Sequence, residues 1–232
     1  MPQIDPEAVF NQACAAGYDR QWVEMAPLRD AIHLLLRGIF LDLPKQARIL
    51  CVGAGTGAEM LYLAQHYPDF HFVAVEPSRH MLEVCQAKAT DAGIADRCEF
   101  HVGYLDTYRN TQPFDAATSL LVSQFLLDRD VRTDYFRQIG QRLRPGGYLV
   151  SSDLSANTNS TEYERLLQIW MRTLQLGGVS QEATQKMREA YANDVAVLPP
   201  AEVSQMIASA GFAEPTCFYQ VGLVHAWHAI RN

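Results

Sequence analysis

Three glycines at alternate positions, Gly53, Gly55 and Gly57, follow directly on the apolar run Arg48-Ile49-Leu50-Cys51-Val52. With no Cβ atoms in the way, such a backbone passes close to a ligand. A helix that opens after the loop turns its free N–H groups and positive dipole end toward a carboxylate or phosphate. Glu76 stands 21 residues beyond Gly55, at the end of the next apolar run. A carboxylate there can accept both hydroxyl protons of a ribose. Each feature alone has a plainer explanation: a tight strand-to-helix turn for the glycines, a solvated strand-end charge for Glu76. In this order and spacing they favour a ligand that contains adenosine. Gly53-x-Gly55-x-x-Ala58 also satisfies the relaxed dinucleotide fingerprint, so a nicotinamide dinucleotide competes.

A loop of this kind needs a strand before it and a helix after it, and the pattern of the chain supplies both. Residues 1–46 read as helical, with Leu28, Ile32, Leu35 and Ile39 at helical spacing around Arg29, Asp30 and Arg37. The period then changes. Short apolar runs at 48–52, 70–75, 98–102, 114–122 and 148–153 read as buried parallel strands. Helices are expected between them at 58–66, 81–92 and 132–143, with Ser78 as an N-cap, Gly93 as a stop and Arg144-Pro145-Gly146-Gly147 as a forced turn. This rhythm predicts an α/β fold, a doubly wound, seven-stranded, mostly parallel sheet with an antiparallel last strand. Residues 154–200 break the rhythm with two helical stretches joined by Gly177-Gly178, which predicts a helical lid insertion. A Pro200-started helix and two strand-like runs split by Gly222 close the chain, the last two as an edge hairpin. The expected organisation is an N-terminal helical cap over 1–46, a Rossmann-like ligand-binding domain over 47–153 and 201–232, and a lid over 154–200.

Composition narrows the classes further. The chain has 232 residues, a formal charge of −7 and 48% apolar residues, enough to bury a core and unlike a disordered or collagenous sequence. The acidic balance argues against a general nucleic-acid surface. The 154–200 segment sets five acids against four bases, which makes no groove for a polynucleotide. No apolar run reaches the roughly 18–20 residues of a membrane helix, and Met1-Pro2-Gln3-Ile4-Asp5 does not read as a secretory leader. The cysteines, Cys14, Cys51, Cys85, Cys98 and Cys217, are odd in number and scattered, which reads as reduced thiols in the cytoplasm and not as a disulfide framework or metal site.

Taken together, Gly53-Ala54-Gly55-Thr56-Gly57, Val75-Glu76-Pro77-Ser78 with Met81-Leu82, Gly103-Tyr104-Leu105, Phe114-Asp115 and Leu143-Arg144-Pro145-Gly146-Gly147 resemble the class I S-adenosylmethionine-dependent methyltransferases. The likeness runs from about Ile49 to Asp153, and the terminal hairpin resembles that family's reversed last strand. The resemblance implies S-adenosyl-L-methionine as cofactor. It places the backbone of Gly53, Ala54 and Gly55 against the methionine part and Glu76 on the ribose hydroxyls. Pro77 and Met81 would pack on the adenine, Tyr104 and Leu105 would lie at its edge, and Leu120 would offer backbone to the ammonium group. Tyr18, in Gly17-Tyr18-Asp19, resembles an N-terminal tyrosine that caps the cofactor. Two positions depart from the family: Cys51 stands where a carboxylate usually organises the methionine end, and Tyr104 where an aspartate usually meets the adenine amino group. A thiol is a much weaker hydrogen-bond partner.

Methyl transfer from a sulfonium is in-line substitution, driven by holding nucleophile and methyl carbon together in a dry site, so a general base is optional. Asp153 is the acidic candidate, with a structural role as its plainer explanation. Gln124 falls where relatives often carry a histidine. Trp170 and Tyr191 could line an acceptor pocket or simply fill a core. His225-x-x-His228 in a strand points its rings to opposite faces, which argues against a metal site, and a buried strand-end thiol at Cys51 is expected to be inert. The leading expectation is transfer to an O, N or C centre of a small-molecule acceptor. Alternatives are a non-catalytic binding subunit, a nicotinamide-dependent oxidoreductase and a tRNA-modification-related enzyme that uses the cofactor or a derivative. The apolar residues of the N-terminal helices would bury against the sheet or, in a homodimer, against a second subunit.

Overall fold

The computed structural model of the chain describes residues 5–21, 23–109, 112–213 and 215–232; residues 1–4 of the expected cap lie outside them. Three helices lead in, α1 (Pro6–Val9), α2 (Gln12–Gln21) and α3 (Ala26–Ile39). There follow β1 (Arg48–Val52), α4 (Ala58–His66), β2 (His71–Glu76), α5 (Arg79–Asp91), β3 (Cys98–Val102) and β4 (Phe114–Leu120). The second half adds α6 (Arg129–Arg142), β5 (Leu143–Leu154), α7 (Thr161–Leu176), α8 (Gln181–Asn193), α9 (Pro200–Ser209), β6 (Thr216–Val221) and β7 (Val224–Ile230). One seven-stranded sheet has the order β3-β2-β1-β4-β5-β7-β6. The first five strands pair in parallel, and β7 runs antiparallel to both β5 and β6. The expected fold class is the one observed.

The two-residue period of the strands sorts each one between two cores. Ile49 and Cys51 of β1 pack with Met60 and Leu63 of α4, Leu82 and Cys85 of α5, and Leu36 of α3. Leu50 and Val52 pack on the other face with Phe136 and Ile139 of α6 and Val203 and Ile207 of α9. Buried on both sides, such strands have no polar alternation to show, which is why they read as continuous apolar runs. A third core lies beneath the insertion, where Leu167, Trp170, Met171 and Leu174 of α7 meet Met25, Leu154 and Leu223.

Several boundaries differ from expectation for local reasons. The Pro-Gly-Gly segment is not a break before a strand at 148; β5 already begins at Leu143. Its register slips between Phe114↔Leu143 and Ala116↔Tyr148, and Gly146 N–H donates to Arg231 O at 2.9 Å, so the turn is stitched to the end of β7. β4 ends at Leu120 and not at 122, because Leu121 turns into the left-handed region at φ 59°. Its N–H donates to Ser152 O at 2.7 Å, which holds it there. α6 starts at Arg129, three residues earlier than expected, since the Asp128 carboxylate accepts from Asp130 and Val131 N–H.

Candidate functional site

The sheet order puts β2, β1 and β4 side by side with their carboxyl ends together, and the glycine loop leaves the middle one. Gly53 has φ 68°, and a Cβ there would stand 2.4 Å from a Val122 methyl, so backbone alone fits between β1 and the β4 exit. Gly57 caps α4 in the left-handed region and fits because Cys85 Sγ would lie 2.5 Å from any Cβ. Opposite the loop, the Glu76 carboxylate accepts from Gly55 N–H and Ser78 N–H, both at 2.9 Å, one on each oxygen. It is buried, and burial raises its pKa against the opposing pull of those two bonds. Ser78 in turn caps α5 and donates to Phe10 O at 2.7 Å, which fastens the end of α1 over the site.

One cavity of about 1090 Å³ begins at this loop and passes under the N-terminal helices to the third core. Its wall includes Tyr18, Gly53, Ala54, Gly55, Glu76, Pro77, Met81, Tyr104, Leu105 and Leu120, ten of the eleven residues expected to surround a cofactor. The eleventh, Cys51, is corrected. It is fully buried, and its strand register turns the thiol into the α4–α5 core, away from the cavity. Burial pushes that thiol well above its usual range. Tyr18 is half-buried, and burial, reinforced by Cys14 and Glu76, raises its phenol to about 12.

Other expectations resolve into structural roles. Asp153 is fully buried outside the cavity wall. Ser123 Oγ donates to it at 2.7 Å and Gln124 N–H at 2.8 Å, and the buried guanidinium of Arg132 lies 3.2 Å away. It is a tie between β5, α6 and the loop after β4, not a base facing the cavity. Gln124 does line the cavity, but its amide oxygen is taken by Leu154 N–H at 2.7 Å. Trp170 and Tyr191 both fill the third core and face the cavity, joined by an indole-to-phenol hydrogen bond of 3.1 Å. His225 and His228 diverge, the latter edge-on to Tyr148, and no cluster of three metal-ligating side chains exists among the described residues. No helix among them is long and apolar enough to cross a membrane.

Three residues in the wall had no sequence argument behind them. Asp19 accepts from Thr56 Oγ1 and from Lys88 Nζ, both at 2.8 Å, and so clamps α2 to the glycine loop and to α5. Glu59, in the first turn of α4, is a buried carboxylate on the cavity wall, raised to about 7 chiefly by burial. His33 on α3 is buried against the Tyr62 ring and lowered to about 4, again by burial, so it is neutral at physiological pH. Asp19 sits beside Tyr18 in Gly17-Tyr18-Asp19 and was within reach of the motif. Glu59 and His33 carry no local signal, because each looks like an ordinary charged or polar position on an amphipathic helix.

Residues 49–147 match the family model described as a methyltransferase domain. The chain is similar to a carboxy-S-adenosyl-L-methionine synthase from Campylobacter hominis, 24% identical over 213 residues, which span 90% of this chain and 88% of that one. It is also similar to an erythromycin 3''-O-methyltransferase from Saccharopolyspora erythraea, 28% identical over 46% of this chain and 34% of that protein. A protein of Nostoc punctiforme assigned as an O-methyltransferase shares the fold at a TM-score of 0.67 and 17% identity, over 89% of this chain and 58% of that one. The chain thus spans little more than half of that structure and about a third of the erythromycin enzyme. The matched segment is the one that builds the glycine loop, Glu76 and the Pro-Gly-Gly turn, and with the shared fold it supports a class I, Rossmann-like S-adenosylmethionine-dependent methyltransferase over the nicotinamide alternative.

Proposed function

We propose that this enzyme transfers the methyl group of S-adenosylmethionine to an O, N or C centre of a small, largely apolar acceptor. One observation carries the reading: a single cavity joins the glycine loop and Glu76 to a chamber walled by Met25, Leu28, Ile32, Trp170, Met187 and Tyr191. Its volume of about 1090 Å³ lies just above the roughly 300–1,000 Å³ range of single-ligand pockets, which leaves room for an acceptor beside a cofactor.

The residues present fit the cofactor. Each Glu76 oxygen already accepts one backbone N–H, and a carboxylate has about four acceptor sites, so two remain for vicinal hydroxyls. The loop backbone at Gly53 to Gly55 offers surface without side chains, and Pro77, Met81, Tyr104 and Leu105 supply apolar walls for a flat base. Tyr18 and Phe10 cover this end, their rings edge to face at 6.5 Å. When bound, the sulfonium supplies an electrophilic methyl carbon that passes to the acceptor as its bond to sulfur breaks, and the acceptor's proton leaves to solvent. The chain's own part is to exclude water and to align the two partners. In this reading 1–46 is the cap, 47–153 with 201–232 the cofactor-binding unit, and 154–200 the lid that selects the acceptor. The free cysteines favour a reducing, cytoplasmic setting.

Seven carboxylate-bearing residues line the cavity against one guanidinium, Arg29, whose Nε and Nη2 both donate to Asp30. Such a wall attracts a sulfonium cation and disfavours phosphorylated, carboxylated or polynucleotide acceptors. The test is transfer of isotope-labelled methyl to a panel of neutral aromatic and aliphatic acceptors, with anionic analogues alongside. Label incorporated into neutral acceptors supports the reading, and label confined to anionic acceptors or RNA overturns it. The carboxy-S-adenosyl-L-methionine synthase relative favours a second reading, conversion of S-adenosylmethionine itself to a derivative. Mass spectrometry of the small molecule released from purified protein separates the two, since that derivative is heavier than its precursor.

A further inference from the structure

Glu59 is difficult to explain as a structural residue. The residue is 7% exposed, yet beyond its own backbone N–H its carboxylate meets only a long hydrogen bond, 3.4 Å from Thr118 Oγ1. Among the described residues no cation pairs with it; Lys88, the ammonium nearest in charge terms, is held by Asp19 at 2.8 Å. Buried carboxylates are normally paired or protonated, because desolvation costs several kcal/mol. Here the carboxylate has no ion-pair partner among the described residues, and the residue lines the cavity.

Position supplies the explanation. β1 lies between β2 and β4, so Glu76 at the end of β2 and Thr118 on β4 flank the glycine loop from opposite sides. Glu59 reaches from α4 to the β4 side, where Leu120 shares the face of Thr118 two residues on. A ligand whose ribose sits at Glu76 and whose base lies among Pro77, Met81 and Leu105 must extend its other end across the loop toward β4. In an S-adenosyl amino acid that other end carries an ammonium group. We propose that Glu59 is the anion that binds the cofactor's ammonium group, a charge that the strand residue Cys51 does not supply. This rests on the cofactor reading above.

The groups that face Glu59 leave it to titrate with few competitors. Tyr18 on α2, Cys51 on β1 and Cys85 on α5 are all raised by burial and stay neutral near pH 7. Asp19 and Lys88 neutralise one another, and Glu76 is the other carboxylate in reach. An ammonium arriving beside Glu59 therefore stabilises its ionised form, and binding near pH 6.5 releases a proton.

Calorimetric titration with two ligands tests this. S-adenosylhomocysteine carries the amino acid end, and 5′-methylthioadenosine has the same adenosine and thioether without it. Glu59→Gln is expected to weaken S-adenosylhomocysteine by about ten- to a hundredfold, the worth of a charged hydrogen bond, and to leave methylthioadenosine within about twofold. Glu76→Gln weakens both. In wild-type protein at pH 6.5, heats measured in buffers of different ionisation enthalpy should reveal proton release with S-adenosylhomocysteine beyond any seen with methylthioadenosine. That second readout needs no variant to fold. Equal loss of both ligands in Glu59→Gln, no loss of either, or the same proton count for both ligands would overturn the assignment. Failure of wild type to bind either ligand would overturn the cofactor reading and this assignment with it.

Discussion

Removing the charge of Glu59 should stabilise the ligand-free protein, an outcome opposite to the usual effect of substituting a buried residue. Burial, opposed by hydrogen bonding and Lys88, moves its pKa from 4.5 to about 7. At about 1.4 kcal/mol for each pH unit, that shift puts the ionised side chain at a disadvantage of roughly 3 kcal/mol in the native state. The sign follows from proton counts. Between pH 4.5 and about 7 the native protein holds a proton on Glu59 that the unfolded chain has lost, so this residue's contribution to stability falls as pH rises through that window. Below it the penalty vanishes, and above it the penalty is complete. Glu59→Gln keeps the shape and a hydrogen bond to Thr118 but cannot ionise. The gap between variant and wild type should therefore widen by about 2–3 kcal/mol from pH 5 to pH 8, equivalent to roughly 4–12 °C in Tm for a chain of this size. Urea unfolding followed by circular dichroism at both pH values measures it. Saturating S-adenosylhomocysteine should narrow the gap at pH 8, since it stabilises the wild type more. A gap that does not change with pH, or a variant less stable than wild type at pH 8, would show that the carboxylate is not held desolvated in the native protein.

Glu76→Ala should abolish measurable S-adenosylhomocysteine binding by calorimetry while circular dichroism stays native; retained affinity would remove the ribose from that position. Arg132→Met leaves Asp153 as an uncompensated buried anion and should cost about 3–5 kcal/mol in urea unfolding. The double variant Arg132→Met/Asp153→Leu should recover part of that loss, and additive losses would count against the tie. Gly53→Ala drives a Cβ to 2.4 Å from Val122, so it should destabilise the protein and weaken the cofactor analogue, with partial rescue by Val122→Ala in a double-mutant cycle. Trp170→Ala should raise the acceptor KM at least tenfold while S-adenosylhomocysteine affinity changes less than twofold, because the indole lies in the chamber and not at the loop. Equal effects on both ligands would contradict that division.

The sequence made the sheet legible because parallel strands covered on both faces become apolar runs, and because Pro and Gly punctuate the helices between them. It also made legible the loop and the carboxylate at Glu76, since both lie at fixed offsets from a strand end. The features it hid depend on tertiary geometry. Leu121 adopts φ 59° through a backbone bond to Ser152, 31 residues away in the chain, so no local preference announces the end of β4. Cys51 occupies a position next to the loop in sequence, yet the alternation of the strand sends its thiol into the opposite core. Glu59 was hidden for a further reason. A glutamate in the first turn of a helix is the ordinary partner of the positive dipole end, and only the close approach of Thr118 reveals that this first turn is inside the protein.

Two carboxylates in one apolar-walled cavity are costly to the ligand-free fold, and the same physics makes them effective on a cation. Desolvation that raises both Glu59 and Glu76 also lowers the local dielectric, so a positive ligand lying between them meets attraction little screened by water. The covers over the loop preserve that condition: Asp19 bolts α2 to Thr56 and Lys88, and Phe10 is fixed by Ser78. The 154–200 insertion is held at its base instead. Ser155 and Ala156 N–H reach Leu223 O and Leu198 O, and Arg132 donates to Ala196 O at 3.0 Å, so both ends of the insertion are fixed to the sheet and its helices. Side-chain clamps thus cover the charged end, and packed aromatic and aliphatic groups shape the apolar end. On the proposed function, charge there selects the cofactor and shape here the acceptor, and a change of acceptor on this scaffold is then expected to need new residues on α7, α8 and α3 and none at the loop.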